Sequence, residues 1–275
     1  MKNFNKKDFR GNSSKNKVKK ESEFQNKDYE DLVVGRNAVT ELLKSDRDIN
    51  KIFVQRGEKH GSINQILGLA KDRKVVIVEV EKSKLDQMTV EKNHQGVIAV
   101  VPPFEYSNVD EILEYAKSKN EDPFIVLLDG IEDVHNLGSI IRTAETAGVH
   151  GIIIPKRRGA LVNATVSKTS AGAIEYMRVA RVNNLNDTIQ ELKDKGLWIY
   201  GTDMDAKNYY YDEKLTGPIC LIIGSEGFGM SSLVKKNCDV LIKIPMQGNI
   251  TSLNASVSAG ITMYEVVKQR RSEVN

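Results

Sequence analysis

Short apolar runs alternate with segments of helical period along nearly the whole chain. From about Tyr29, Gly35-Arg36-Asn37 leads into an amphipathic run in which Ala38, Val39, Leu42 and Leu43 recur at helical spacing. The pattern then predicts a strand at Lys51–Gln55, a helix near 63–70 and a β-branched strand at 75–78. A short helix at 84–89 and a strong strand at 95–101 follow. Such alternation argues a small α/β/α sandwich over residues 29–101. Pro102-Pro103 interrupts both kinds of ladder, because proline lacks the N–H donor and fixes φ, so residues 102–108 read as an extended linker.

Beyond the linker, in residues 109–275, the alternation resumes on a larger scale. Strands are predicted at 124–128, 151–154, 177–182, 197–201, 219–223 and 240–244. Helices are predicted at 109–117, 136–147, 164–173, 184–195, 230–237 and 253–270. Ile125-Val126-Leu127-Leu128 and Leu221-Ile222-Ile223 are apolar without alternation, which suits strands buried on both faces of a parallel sheet. The fold class is therefore α/β.

Composition adds bounds. At 275 residues, 40 % of them hydrophobic, the chain is long and apolar enough for two cores. No stretch reaches the length of a membrane span, and Met1-Lys2-Asn3-Phe4-Asn5 begins no secretory signal, so a cytoplasmic protein is expected. Cys220 and Cys238 then read as reduced core residues, and neither has the spacing partners of a zinc site. The formal charge of +3 is uneven: residues 1–28 hold nine Lys/Arg against four Asp/Glu, a local +5 that leaves −2 for the rest. This tail is nearly free of aliphatic residues and is expected to be disordered. It reads equally as a solubilising leader or as a basic arm for phosphate backbones.

Candidate chemistry falls in three loops at predicted strand ends, where open α/β sheets bind ligands. After Leu128-Asp129-Gly130 comes His135-Asn136-Leu137-Gly138-Ser139-Ile140-Ile141-Arg142-Thr143-Ala144-Glu145. Ser139, Arg142 and Glu145 share one helix side, and a surface Arg–Glu pair is the plain reading. The small neighbours Gly138, Ala144, Ala147 and Gly148 predict close packing, and a buried guanidinium there would need Glu145 or an RNA phosphate as partner. The second loop, Gly224-Ser225-Glu226-Gly227-Phe228-Gly229, lies between strand and helix, so its N–H groups suit an anion or a polar cofactor edge. Met230 stands where a Walker A loop needs lysine, and Ser232 where a dinucleotide fingerprint needs glycine or alanine. What remains is a glycine turn presenting Glu226. The third loop leads through Ser252-Leu253-Asn254-Ala255-Ser256-Val257 into the last helix, which Ser252 or Asn254 is placed to cap.

In this order, with Ile244-Pro245-Met246 ahead of the third, these segments resemble the three signature motifs of the SpoU family. Its members are RNA 2′-O-ribose methyltransferases of the SPOUT class. The resemblance spans about residues 31–269. It implies a C-terminal SPOUT-type parallel sheet covered by helices and tied in a deep trefoil knot, a homodimer with sites at the subunit interface, and S-adenosyl-L-methionine as co-substrate without a metal. Matched by position, the cofactor contacts fall on Gly224, Ile244 and Leu253, with Gly201-Thr202 nearby. The active-site residues fall on Asn136, Arg142, Glu226, Ser252 and Asn254. Gly35-Arg36-Asn37-Ala38-Val39 and His94-Gln95-Gly96 resemble signatures of the ribosomal-protein-like RNA-binding domain that accompanies this catalytic domain in 23S rRNA guanosine-2′-O-methyltransferases. Val134 departs from the pattern, since many members carry proline there. The expected reaction is methyl transfer to a ribose 2′-OH in rRNA. A tRNA substrate, a non-catalytic RNA-binding assembly factor and, more remotely, a nucleotide-dependent oxidoreductase are the alternatives.

Overall fold

The computed structural model describes residues 31–274 except 58, 59 and 92, so the predicted basic tail at 1–28 lies outside the described residues. The first unit runs β1 (Leu32–Val34), α1 (Arg36–Lys44), β2 (Lys51–Gln55), α2 (Ser62–Asp72), β3 (Ile77–Val80), α3 (Lys82–Met88) and β4 (Val97–Val100). Its sheet has the order β1-β4-β2-β3, with β4 antiparallel to both neighbours and β3 parallel to β2. Strand alternation sorts the side chains to two faces. Val97 and Ala99 pack with Leu42, Ile63 and Ile66 of α1 and α2, while Ile98 and Val100 meet Leu85 of α3. Gly35 opens α1 at φ 98°, a left-handed conformation that favours glycine, and a Cβ there would lie 3.3 Å from Gln95 Oε1. Arg36 N–H donates to that same Gln95 oxygen at 2.8 Å, so the two N-terminal signatures meet in space.

The second unit continues with α4 (Val109–Ser118), β5 (Phe124–Asp129), α5 (Val134–Thr146), β6 (Gly151–Pro155), α6 (Ala164–Thr169) and β7 (Val179–Val182). It ends with α7 (Leu185–Asp194), β8 (Trp198–Thr202), β9 (Asn208–Tyr209), β10 (Ile219–Gly224), α8 (Ser232–Asn237), β11 (Val240–Lys243) and α9 (Ala255–Val274). All seven strands are parallel, in the order β7-β6-β5-β10-β8-β11-β9. One face buries Val126, Leu128, Leu221 and Ile223 against α5 and α9, and the other buries Ile125, Leu127 and Ile222 against α4 and α7. That double coverage is why these strands read as unbroken apolar runs.

Two short strands escaped the pattern: β1 has three residues and β9 two, too few for a period. The helix expected over 164–173 stops at Thr169. Gly172 turns to φ 90° before a 3₁₀ turn at Ala173–Glu175, because α1 packs there and a Cβ would lie 2.6 Å from that of Glu41. Around this contact the units are fastened by Tyr176 Oη donating to Glu41 Oε2 at 2.8 Å, Arg47 pairing with Glu175 at 3.2 Å, and Lys168 pairing with Glu91 at 2.7 Å. Residues 102–108 run between the units with Phe104 and Tyr106 laid against the larger core, and Ser107 N–H bonds Val179 O at 2.9 Å.

Candidate active site

Adjacent parallel strands β5, β10, β8 and β11 release their loops at one edge of the sheet. A cleft of about 410 Å³ opens there, walled by Thr202–Asp205, the 223–230 turn, 242–246 and 251–253. The turn is rigidly closed: Ser225 and Gly229 exchange backbone hydrogen bonds at 2.9 and 3.0 Å, and Ser231 N–H donates to Asp129 Oδ2 at 2.7 Å. Gly224 tolerates no side chain, since a Cβ would lie 2.3 Å from the backbone of Gly229 and Met230. Thr202 Oγ1 donates to Ile222 O at 3.1 Å, and Ile244 and Leu253 are half-buried in the wall.

On the cleft's rim three polar side chains from distant segments interlock. Asn136, in the first turn of α5, donates to Glu226 Oε1 at 3.0 Å. Asn254 Nδ2 donates to Asn136 Oδ1 at 2.9 Å and also to Glu226 Oε1. Ala255 N–H adds a contact to the same oxygen at 3.3 Å, so the carboxylate sits against the positive end of α9. Glu226 Oε2 accepts no hydrogen bond from any described residue. Asn254 is the cap of α9, its Oδ1 accepting from Ser256 N–H at 2.9 Å and Val257 N–H at 3.3 Å. Ser252 is exposed, lines the cleft and caps nothing.

Arg142 lies elsewhere. It is exposed rather than buried, its guanidinium bonds no described residue, and Glu145 is not its partner. The close packing predicted from small neighbours falls one turn earlier in α5, where Gly138 meets Thr169 of α6. Arg142 instead lines a groove of about 490 Å³ between the two units, with Asn37, Glu41 and Lys44 opposite and Tyr176 beside it. Burial, then the bond to Glu41, pushes the Tyr176 hydroxyl up to about 12, so it is a donor at neutral pH. Burial also pushes the Cys238 thiol up to about 12 and raises that of Cys220, so neither offers a thiolate nucleophile.

This geometry matches a known group of proteins along nearly the whole chain. Residues 123–264 fit the model of the SpoU rRNA Methylase family, and residues 32–107 that of RNA 2′-O ribose methyltransferase substrate binding. The chain belongs to the SpoU rRNA methylase family. It is 50 % identical over 240 residues to YacO of Bacillus subtilis (strain 168), a protein assigned to the TrmH family of tRNA/rRNA methyltransferases, covering 87 % of this chain and 96 % of that one. Among solved structures, the SpoU methyltransferase AviRb from Streptomyces viridochromogenes in complex with the cofactor AdoMet superposes with a TM-score of 0.72 at 26 % identity, over 88 % of this chain and 90 % of that one. An AdoMet-bound rRNA methyltransferase from Sinorhizobium meliloti shares the fold, with a TM-score of 0.73 at 22 % identity over 93 % and 96 % of the two chains.

For this SpoU-family chain, then, the structure gathers Thr202, Gly224, Glu226, Ile244, Ser252 and Leu253 in one cleft and binds Asn136 and Asn254 to its rim. Arg142 alone of the matched residues stands apart. Sequence reasoning passed over Asp129, which anchors the glycine turn, and the Lys235–Asp203 pair at 2.8 Å on the cleft wall. A carboxylate closing an otherwise apolar buried strand was the available signal for Asp129.

Proposed function

We propose that this SpoU-family protein transfers a methyl group from S-adenosyl-L-methionine to a ribose 2′-OH of RNA, with a guanosine of 23S rRNA as target. The observation that carries the reading is the Asn136–Glu226–Asn254 cluster on the rim of a closed glycine-turn cleft. The cleft's size is that of a small-molecule site. Its lining joins Met204, Ile244, Met246 and Leu253 to exposed strand-end backbone and the Glu226 carboxylate, which suits a molecule with a flat apolar end and a cationic centre. Gly224, Ile244 and Leu253 would hold it through backbone groups, with Thr202 nearby; the AdoMet complex of the Streptomyces relative supports the choice of co-substrate. When bound, this co-substrate supplies an electrophilic methyl on a sulfonium.

The remaining work belongs to the chain. A ribose hydroxyl is a weak nucleophile at neutral pH, so it must be held in line and its developing negative charge stabilised. Glu226 Oε2 is free to accept from the ribose, with Ser252, Asn254 and Asn136 fixing its orientation. Arg142 stabilises the developing alkoxide and a neighbouring phosphate. It does not take the proton, because a guanidinium stays protonated, and the proton leaves through the polar cluster as the O–CH₃ bond forms.

That role requires Arg142 and the cleft to meet at one ribose, which supports a homodimer with the site between two copies. The outward side of α5 and α9 carries Val257 and Tyr264, 48 % and 49 % exposed, with Tyr264 Oη 3.4 Å from Thr146 Oγ1 one turn beyond Arg142. A knotted path is proposed on similar grounds, since α9 returns from β11 to pack on β10 and α5. No helix of the described residues is long and apolar enough to cross a membrane, and we assign the protein to the cytoplasm. Transfer of a labelled methyl to total RNA, followed by mapping of the modified nucleotide, tests the reading. Label on a 2′-O of 23S rRNA supports it. Label in tRNA, the other substrate class in the Bacillus relative's name, moves the target. RNA binding without any transfer would leave only an assembly factor.

A further inference from the structure

We propose that the loop Lys156-Arg157-Arg158, between β6 and α6, clamps the phosphate backbone of RNA beside the modified nucleotide, an inference that rests on the RNA methyltransferase reading above. Strand β6 lies next to β5 in the parallel sheet, so its carboxyl-end loop leaves by the same edge as the cleft. Ala160 N–H donates to Ile131 O at 2.7 Å, tying this loop to the connection that leads into Asn136. Along the edge the sequence of features is therefore basic loop, polar cluster, cleft.

The three cations are consecutive and exposed, and none of their side chains makes a hydrogen bond or an ion pair with any described residue. Several cations elsewhere in this unit are engaged: Lys168 with Glu91, Lys193 with Asp239, Lys235 with Asp203. On the adjoining connection, Asp133 is committed to capping α5 through Asn136 N–H at 2.8 Å, and Glu132 is exposed. The loop's backbone is also fixed in advance. Lys156 N–H bonds Val182 O at 2.8 Å, Val162 N–H bonds Tyr106 Oη at 3.0 Å, and a Cβ on Gly159 would lie 3.0 Å from Pro155 Cγ. Arg158 is held at φ 58°, a left-handed conformation that a non-glycine residue adopts only where its surroundings impose it. A pinned turn bearing three uncommitted cations loses little further entropy on binding a polyanion, and arginine suits phosphate through its planar fork of donors. Such contacts set the register of the strand without reading its bases.

The test compares the full-length protein with a Lys156→Ala/Arg157→Ala/Arg158→Gly variant, in which glycine relieves the left-handed position. Affinities for a 23S rRNA transcript and for bulk tRNA are measured across a salt series, with S-adenosyl-L-methionine affinity and melting temperature as controls. Each lost phosphate contact lowers the slope of log K against log [salt] by about 0.7 on a single strand, so a loss of about 2 is expected. RNA affinity should fall on the order of tenfold, with a matching rise in KM for RNA and unchanged cofactor affinity. An unchanged slope and affinity in a folded variant overturns the clamp. If the triple variant melts early, Arg157→Glu gives the same readout at one exposed position, and an unchanged slope there overturns it equally. The two readings fail separately: methyl transfer with no loop dependence sinks only the clamp, whereas loop-dependent RNA binding without transfer supports the clamp and sinks the enzymatic reading.

Discussion

The rim of the cleft and the groove between the units treat their polar groups in opposite ways. At the rim, Asn136, Glu226 and Asn254 are bound to one another and to the start of α9, so their positions are set before any ligand arrives. In the groove, one and a half turns along the same helix, Arg142 is exposed and unpaired among the described residues. Interlocked groups supply geometry at little cost on binding, whereas an uncommitted guanidinium supplies charge to whatever polyanion enters. A site using both needs a ribose that touches the two regions together.

The most damaging way to break this division is Arg142→Ala. Losing a charge aimed at a developing oxyanion typically costs about 2.7–4 kcal/mol, so turnover should fall roughly a hundred- to thousand-fold. S-adenosyl-L-methionine affinity by calorimetry should hardly change, and Arg142→Lys should recover only part of the rate. Near-normal turnover in folded Arg142→Ala protein would remove this residue from the mechanism.

A mixing experiment sharpens the comparison. Arg142→Ala and Glu226→Ala proteins, each inactive alone, are unfolded together and refolded. If the two regions meet only across copies, hybrids should restore roughly a quarter of wild-type activity, the statistical share of intact sites in randomly paired dimers. No recovery, with hybrids verified by mass, would place Arg142 and the cleft of one copy at the same ribose.

Asn254→Ala should act on the rim twice. It removes the cap of α9, costing about 1 kcal/mol in a thermal or denaturant melt, and frees Glu226 from one of its donors. Activity should fall by more than the lost stability explains. A full-rate variant with the expected melting shift would reduce Asn254 to a cap.

The smallest effect is expected from Glu91→Gln, which loosens a fastening between the units and leaves the cleft alone. Hydrogen bonds from Lys168 and Thr165 hold the Glu91 carboxyl below its ordinary 4.5. A depressed folded value means stabilisation that is present above pH 4.5 and is lost as the pH falls through the folded value. The stability gap between wild type and variant, on the order of 1 kcal/mol at neutral pH, should therefore close on acidification. A gap that persists at low pH would assign it to packing.

Sequence pattern carried the layered architecture well and the neighbourhoods poorly. Apolar runs such as Ile125–Leu128 pointed to double burial because four consecutive apolar residues between turn signals suit a short strand covered on both faces. The meeting of Asn136, Glu226 and Asn254 has no periodic signal at all. It was legible only through the resemblance of three short motifs, each weak by itself. Spacing placed Ser139, Arg142 and Glu145 on one side of a helix, but period does not say what that side faces, and the inferred burial of Arg142 failed for that reason. The break after Thr169 depended on α1 arriving from the other unit, a contact far away in sequence.

The placing of β11 has a further consequence. It lies between β8 and β9 although it follows both in the chain, and β9 pairs with no other strand of the described residues. During synthesis, at about 5–20 residues per second, the first unit and most of the sheet therefore emerge while β8 still presents an open edge. The cleft has no outer wall until residues from Val240 onward fold into place. On the proposed reading, the nascent chain can therefore hold RNA for several seconds (roughly, at that rate) before its cleft can hold a methyl donor.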